Sequence, residues 1–227
     1  MGTLTRSELV EELKGFFANR DDITDARYIR WLNLAQTRIA RIHGWEELEE
    51  ESSLSTTANS KTISIPSNTR KVRSVVLIDG TSSKKLTGYL YKEFDKHIPY
   101  PEALSTGRPT IYTHWKGQLE LWKIPDAVYS IKMRRTFWPT AFTSSSDVAS
   151  DLNEKDDAII MLAASWGHLS LRNTEDGTKY WRIYTRLINE AIGEDAERPD
   201  VDLFGAAGPS VGAPTDYWKD PFVHSVD

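Results

Sequence analysis

Cysteine is absent from the 227 residues, which excludes disulfides, thiolate zinc sites and cysteine nucleophiles and fits synthesis in a reducing cytosol. Long apolar runs are missing as well. Nowhere do about 18 consecutive apolar residues occur, and Met1 to Val10 has no basic segment leading into an apolar one, so neither a membrane span nor a secretory leader is expected. The five histidines, His43, His97, His114, His168 and His224, stand far apart. None has a second histidine or a carboxylate at HExxH-like spacing, so no metal site is expected. Neither a Walker-type phosphate loop nor a GxGxxG turn is present, which removes the usual support for a nucleotide cofactor. The run Ala163-Ala-Ser-Trp-Gly167 has the serine of a nucleophile elbow but neither its first glycine nor a preceding strand. Ser165 reads instead as a small residue that lets helices pack closely. No catalytic, cofactor-binding or metal-binding residue is therefore assigned.

What the chain does have is charge arranged in blocks. The net charge of −5 divides into −4 over residues 1–60, +8 over 61–136, −3 over 137–192 and −6 over 193–227. A basic middle between acidic flanks predicts either a contact surface for an acidic partner or complementary packing between identical subunits. Its cations include Arg70, Lys71, Arg73, Lys132, Arg134 and Arg135. We assign these six to inter-subunit contacts first and to phosphates second.

Hydrophobic periodicity gives the elements. Thr5 and Glu8 have the spacing of a capping box, followed by Leu9, Val10, Leu13, Phe16 and Phe17 on one helical face. Tyr28, Leu32, Ala35, Ile39 and Ile42 predict a second helix from about Thr24 to Ile42, with Arg27, Arg30, Arg38 and Arg41 off that stripe, toward solvent or a neighbouring subunit. From Lys61 the period becomes two. A strand over Val72 to Ile78 ends at Asp79-Gly80, a hairpin joins Ile111–Trp115 to Gln118–Ile124 at Lys116-Gly117, and a strand follows over Val128 to Thr136. Pro99, Pro101 and Pro109 mark an ordered irregular loop between the halves. Helical spacing returns with Leu152, Ile159, Leu162, Ala163, Trp166 and Leu169, and again with Tyr180, Tyr184, Leu187 and Ala191. Beyond Gly193, glycines and prolines exclude a long regular element.

The expected fold is α+β, a mainly α-helical bundle with an antiparallel β insertion and an extended C-terminal arm. Its parts are the first two bundle helices (1–60), a β-rich insertion (61–142), the last two bundle helices (143–192) and the arm (193–227). In the arm, Phe204, Tyr217, Trp218 and Phe222 are apolar anchors suited to a partner protein or a neighbouring subunit. The acidic run at Glu46, Glu47, Glu49, Glu50 and Glu51 reads as a solvated segment. An alternative function, a carbohydrate-binding module or glycosidase, would use Trp115, Trp122 or Trp138 as a sugar platform. A DNA-binding module is a third reading, set against the lack of a helix-turn-helix reader.

Four segments carry a resemblance. Thr5-Arg-Ser-Glu-Leu-Val-Glu-Glu-Leu13 and Trp31-Leu-Asn-Leu-Ala-Gln-Thr-Arg-Ile-Ala-Arg-Ile-His-Gly-Trp-Glu-Glu-Leu48 look like the opening of head-to-tail connector (adaptor) proteins of tailed bacteriophages. Arg70-Lys-Val-Arg-Ser-Val-Val-Leu-Ile-Asp-Gly80 resembles that family's first long strand, and Asp151-Leu-Asn-Glu-Lys-Asp-Asp-Ala-Ile-Ile-Met-Leu-Ala-Ala164 resembles the helix that resumes its bundle. The resemblance implies a non-enzymatic structural protein of the virion neck, assembled in the host cytoplasm. It implies a homo-oligomeric ring of about twelve subunits beneath the portal protein, contacts with a tail or nozzle protein, and a channel for DNA.

Overall fold

The computed structural model describes residues 4–80, 82–103, 105–145 and 147–196. The anchors Phe204, Tyr217, Trp218 and Phe222 lie outside the described residues. Two helices open the chain, α1 (Arg6–Gly15) and α2 (Asp25–Ile42). Strands β1 (Glu49–Ser55), β2 (Thr62–Ser64), β3 (Thr69–Asp79), β4 (Ser82–Lys85) and β5 (Thr87–Tyr89) follow, then helix α3 (Tyr91–His97). Strands β6 (Ile111–Trp115), β7 (Gln118–Trp122) and β8 (Ser130–Phe137) precede the last helices, α4 (Asp156–Ser170) and α5 (Thr174–Ala196).

The capping box starts α1 as expected, with the Thr5 N–H donating to Glu8 Oε2 at 2.8 Å and the Glu8 N–H to Thr5 Oγ1 at 3.5 Å. The apolar faces of α1, α2, α4 and α5 then close on one core that includes Leu9, Leu13, Tyr28, Leu32, Ile39, Ile159, Leu162 and Tyr184. Close approach inside it depends on small residues. Ser165 is fully buried and its hydroxyl donates to the Gly177 carbonyl at 2.8 Å, which ties α4 to α5. At Gly167 a Cβ would overlap the Phe17 ring and lie 3.1 Å from the Trp31 indole.

The β half has a separate core. One sheet has the order β1-β8-β3-β4 and the other β2-β7-β6-β5. Val75, Leu77, Ile131 and Met133 of the first face Ile63, Leu119 and Leu121 of the second, joined by Ile65 and Leu86. On its other side the second sheet is covered by α3, where Phe94 and Ile98 meet Ile111 and Trp122. The β6–β7 turn has positive φ at both Lys116 (47°) and Gly117 (74°), the requirement of a two-residue turn that follows the strands' own twist.

A mainly helical bundle with an antiparallel insertion is therefore not what forms. The class remains α+β, but the described residues are 41% helical and 26% strand, with two four-stranded sheets and five α-helices among them. Two segments account for the difference, and a third moves the expected end of a helix. The acidic run does not stay a solvated segment, because Glu49–Glu51 pair in register with Thr136, Arg135 and Arg134 of β8. Between Lys85 and Ile111, a stretch dominated in sequence by prolines holds β5 and α3, and β5 lies parallel to β6. Helix α5 also runs past Gly193 to Ala196, since one glycine costs only about 1 kcal/mol in a helix interior.

Gly167 yields a direct test of the helical core. Alanine is worth about 1 kcal/mol more than glycine in an unencumbered helix, yet here the added methyl must displace Phe17 or Trp31. Gly167→Ala is expected to lower stability by about 1–3 kcal/mol, measured by urea denaturation.

Candidate interaction surfaces

The six cations assigned from sequence separate into two groups. Arg135 is 4% exposed. Its guanidinium donates to Glu50 Oε2 at 2.6 Å, Ser52 Oγ at 2.9 Å, Asn68 Oδ1 at 2.8 Å and Thr69 Oγ1 at 3.2 Å, which fixes β1 and the start of β3 to β8. Arg70 donates to backbone carbonyls at the end of α2, those of Ala40, Arg41 (3.1 Å) and His43 (3.3 Å), and lies over the Trp138 ring. These carbonyls include ones a helix end leaves without intrahelical donors. Both arginines hold the chain to itself.

The other four are exposed. Lys132 and Arg134 share Glu51, at 3.0 and 3.7 Å, and Arg73 lies 3.8 Å from Glu49. Lys71 is exposed with no ion pair among the described residues. Lys132, Arg134 and Lys85 border a shallow depression of about 280 Å³ on the outer side of the first sheet, with Glu51, Ser74 and Val76. The structure brings Lys132 and Arg134 together on the outer face of β8, turns Arg135 to the inner face, and sets Arg73 near Arg70 beside the end of α2.

The tryptophans do not share a platform. Trp115 is 49% exposed and lies 4.6 Å from the Tyr91 ring, above a cleft of about 480 Å³ that also includes Lys61, Asp95, Tyr100 and Glu102. Trp122 packs toward α3, and Trp138 is held between Arg41 and Arg70. Among the described residues no group of three histidines or carboxylates is placed to hold a metal ion.

Sequence reasoning missed a groove between α1 and α4. About 720 Å³ in size, it has an apolar floor of Leu4, Phe16, Ile160 and Met161 and carboxylates at Glu12, Glu154, Asp156 and Asp157. A signal was present: Ile159, Ile160, Met161 and Leu162 make α4 apolar on more than the one face that the other helices can cover. Asp156 is 9% exposed, accepts the Leu4 N–H at 2.6 Å through Oδ2, and has no partner for Oδ1 among the described residues. Burial raises its carboxyl above the ordinary range, and the charges of Asp157 and Glu8 push the same way.

Residues 4–207 match the SU10 adaptor protein family, and the chain belongs to it. The family is one of phage head-tail adaptors, so the protein is a structural adaptor of the virion neck, acting between portal and tail components. No curated protein matches the chain.

Three substitutions test the reading of the surfaces. Arg135→Ala should cost about 2 kcal/mol, because it removes the four hydrogen bonds of a buried guanidinium and leaves the half-buried Ser52 and Thr69 short of a donor, while the exposed Glu50 and Asn68 regain water. Arg134→Ala should cost less than about 0.5 kcal/mol. Urea titrations of the two variants distinguish the residue that holds the sheet from the one that faces outward. For Asp156 the folded pKa lies above the unfolded one, so its ionisation opposes folding as pH rises through that interval. Asp156→Asn should therefore be more stable than the parent at pH 7, and the gap should close as pH falls toward the unfolded-state value near 3.8. A gap unchanged between pH 7 and pH 4 would contradict this assignment.

Proposed function

We propose that this adaptor assembles in the host cytoplasm as a closed ring of about twelve subunits on the portal protein, where cyclic head-to-tail contacts repeat one interface. The ring continues the DNA channel below the portal and joins it to a tail or nozzle protein. Membership of a head-tail adaptor family over residues 4–207 is the observation that carries this reading. The architecture supports it, since two independently packed cores supply separate faces for separate partners.

In this reading the helices within 1–60 and 143–192 form one part, β1 joins the β part over 61–142, and the arm within 193–227 follows α5. The arm reaches the portal, with Phe204, Tyr217, Trp218 and Phe222 as anchors. The exposed cations Lys71, Arg73, Lys132 and Arg134 contact a neighbouring protein first and channel phosphates second, while Arg70 and Arg135 hold the strands behind them. The adaptor performs no catalysis and needs no cofactor.

Electron microscopy of the adaptor bound to its own portal tests the reading. A ring with cyclic symmetry seated on the portal is expected. One isolated subunit per portal, or a protein that binds only tail components, would overturn it.

A further inference from the structure

In the first sheet Arg73, Lys132, Arg134 and Arg135 are matched inside the chain, by Glu49, Glu50 and Glu51. Helix α2 differs. Tyr28, Leu32, Ala35 and Ile39 face the core, so Arg27, Arg30, Leu34, Arg38 and Arg41 emerge together on the opposite side, and all five are exposed. At 1.5 Å per residue they form a stripe about 21 Å long. Leu34 stands near its middle, 50% exposed. Arg27 lies over Trp31 and bonds Ser170, and Arg41 lies over Trp138. Arg30 and Arg38 have no ion pair among the described residues.

The α1/α4 groove has the complementary character. An apolar floor matches the leucine, and the exposed carboxylates Glu12, Glu154 and Asp157 match the arginines around it. Glu8 and Glu11 extend the acidic surface along the exposed side of α1. The nearby cations do not neutralise it, since Lys14 is bound to Asp25 at 2.7 Å and Lys155 is turned to Glu47. The two surfaces are on different faces of the helical half. The groove lies at the N-terminal end of α4, whereas the stripe begins beside Ser170 at its C-terminal end.

We infer that the α2 stripe of one copy docks into the α1/α4 groove of the next, with Leu34 entering the apolar floor and Arg30 and Arg38 meeting the carboxylates on either side. An amphipathic helix laid into an apolar groove is a recurrent mode of recognition, and opposed charges fix its register. Because stripe and groove are different surfaces, the contact is head-to-tail and repeats from copy to copy. The inference rests on the ring proposed above and names the interface that closes it.

The absence of native cysteine makes a crosslinking test clean. Leu34→Cys and Met161→Cys are placed together in one chain and separately in two, and each protein is assembled on the portal and oxidised mildly. The double variant should give a ladder of disulfide-linked multimers on a denaturing gel, and the single variants none. In parallel, Arg30→Glu/Arg38→Glu and Glu12→Arg/Asp157→Arg chains should each lose ring assembly by at least about tenfold in affinity. Mixing the two should restore it, because every contact in an alternating ring again joins opposite charges. Circular dichroism verifies that each variant is folded. Rings of the parent protein that give no ladder would overturn this interface and leave the ring standing, whereas no ring for the parent protein would overturn both. Charge-reversed chains that assemble normally but lose DNA retention would also overturn it, and would assign the stripe to phosphates.

Discussion

Much of the structure depends on the antiparallel pairing of an acidic strand with a basic one. β1 has carboxylates at Glu49, Glu50 and Glu51, and β8 presents Lys132, Arg134 and Arg135 beside them. Opposite charges across neighbouring strands contribute about 0.2–1 kcal/mol each, so the exposed pairs add little. The buried one is different, because Arg135, itself 4% exposed, reaches four partners on two neighbouring segments. With that guanidinium in place, β8 is held centrally, between β1 and β3.

β8 is also the strand that connects the two cores. Ile131 and Met133 lie in the sandwich, while Phe137 and the following Trp138 pack against the helical core. Arg70 closes the same seam from the side by binding carbonyls at the end of α2. Beyond it, the return to the helices is pinned by polar side chains. Asn33 exchanges two hydrogen bonds with the Phe142 backbone, at 2.9 and 2.8 Å, and Gln36 donates to the Thr140 carbonyl at 2.9 Å. Gln36 is buried among apolar residues, and its bonds to Asn33, Thr140 and Ser150 are what make that burial tolerable. An adaptor loaded from both ends needs such a seam.

The sequence showed its elements better than its assembly. Apolar spacing located α1, α2, α4 and α5, and the turn chemistry at Lys116-Gly117 located the β6–β7 hairpin, because each signal lies within one segment. β1 was not legible for the opposite reason. Glu49–Ser55 has little apolar pattern of its own and becomes a strand only against cations some 80 residues away. The short β5 and α3 fail similarly, as three strand residues and two turns of helix are too brief to declare a period. Among the surfaces, the exposure of Arg27, Arg30, Arg38 and Arg41 was legible from their position off the apolar stripe. The groove was not, since Leu4 and Phe16 meet Ile160 and Met161 only after α1 and α4 pack together.

Charge is thus used twice. Between β1 and β8 it is matched within one chain, and on the helical half an arginine stripe and an acidic groove stand apart, the pair of surfaces proposed to meet between copies. The two uses respond differently to salt, because docking across solvent is screened over a Debye length of roughly 10 Å at 0.1 M, while the hydrogen bonds of a buried guanidinium are screened far less. The most direct measurement is therefore the affinity of ring assembly on the portal, followed beside the unfolding midpoint from roughly 0.1 to 0.5 M salt. Assembly that weakens steeply while the midpoint changes little is the predicted result. Assembly indifferent to salt over that range would contradict the account.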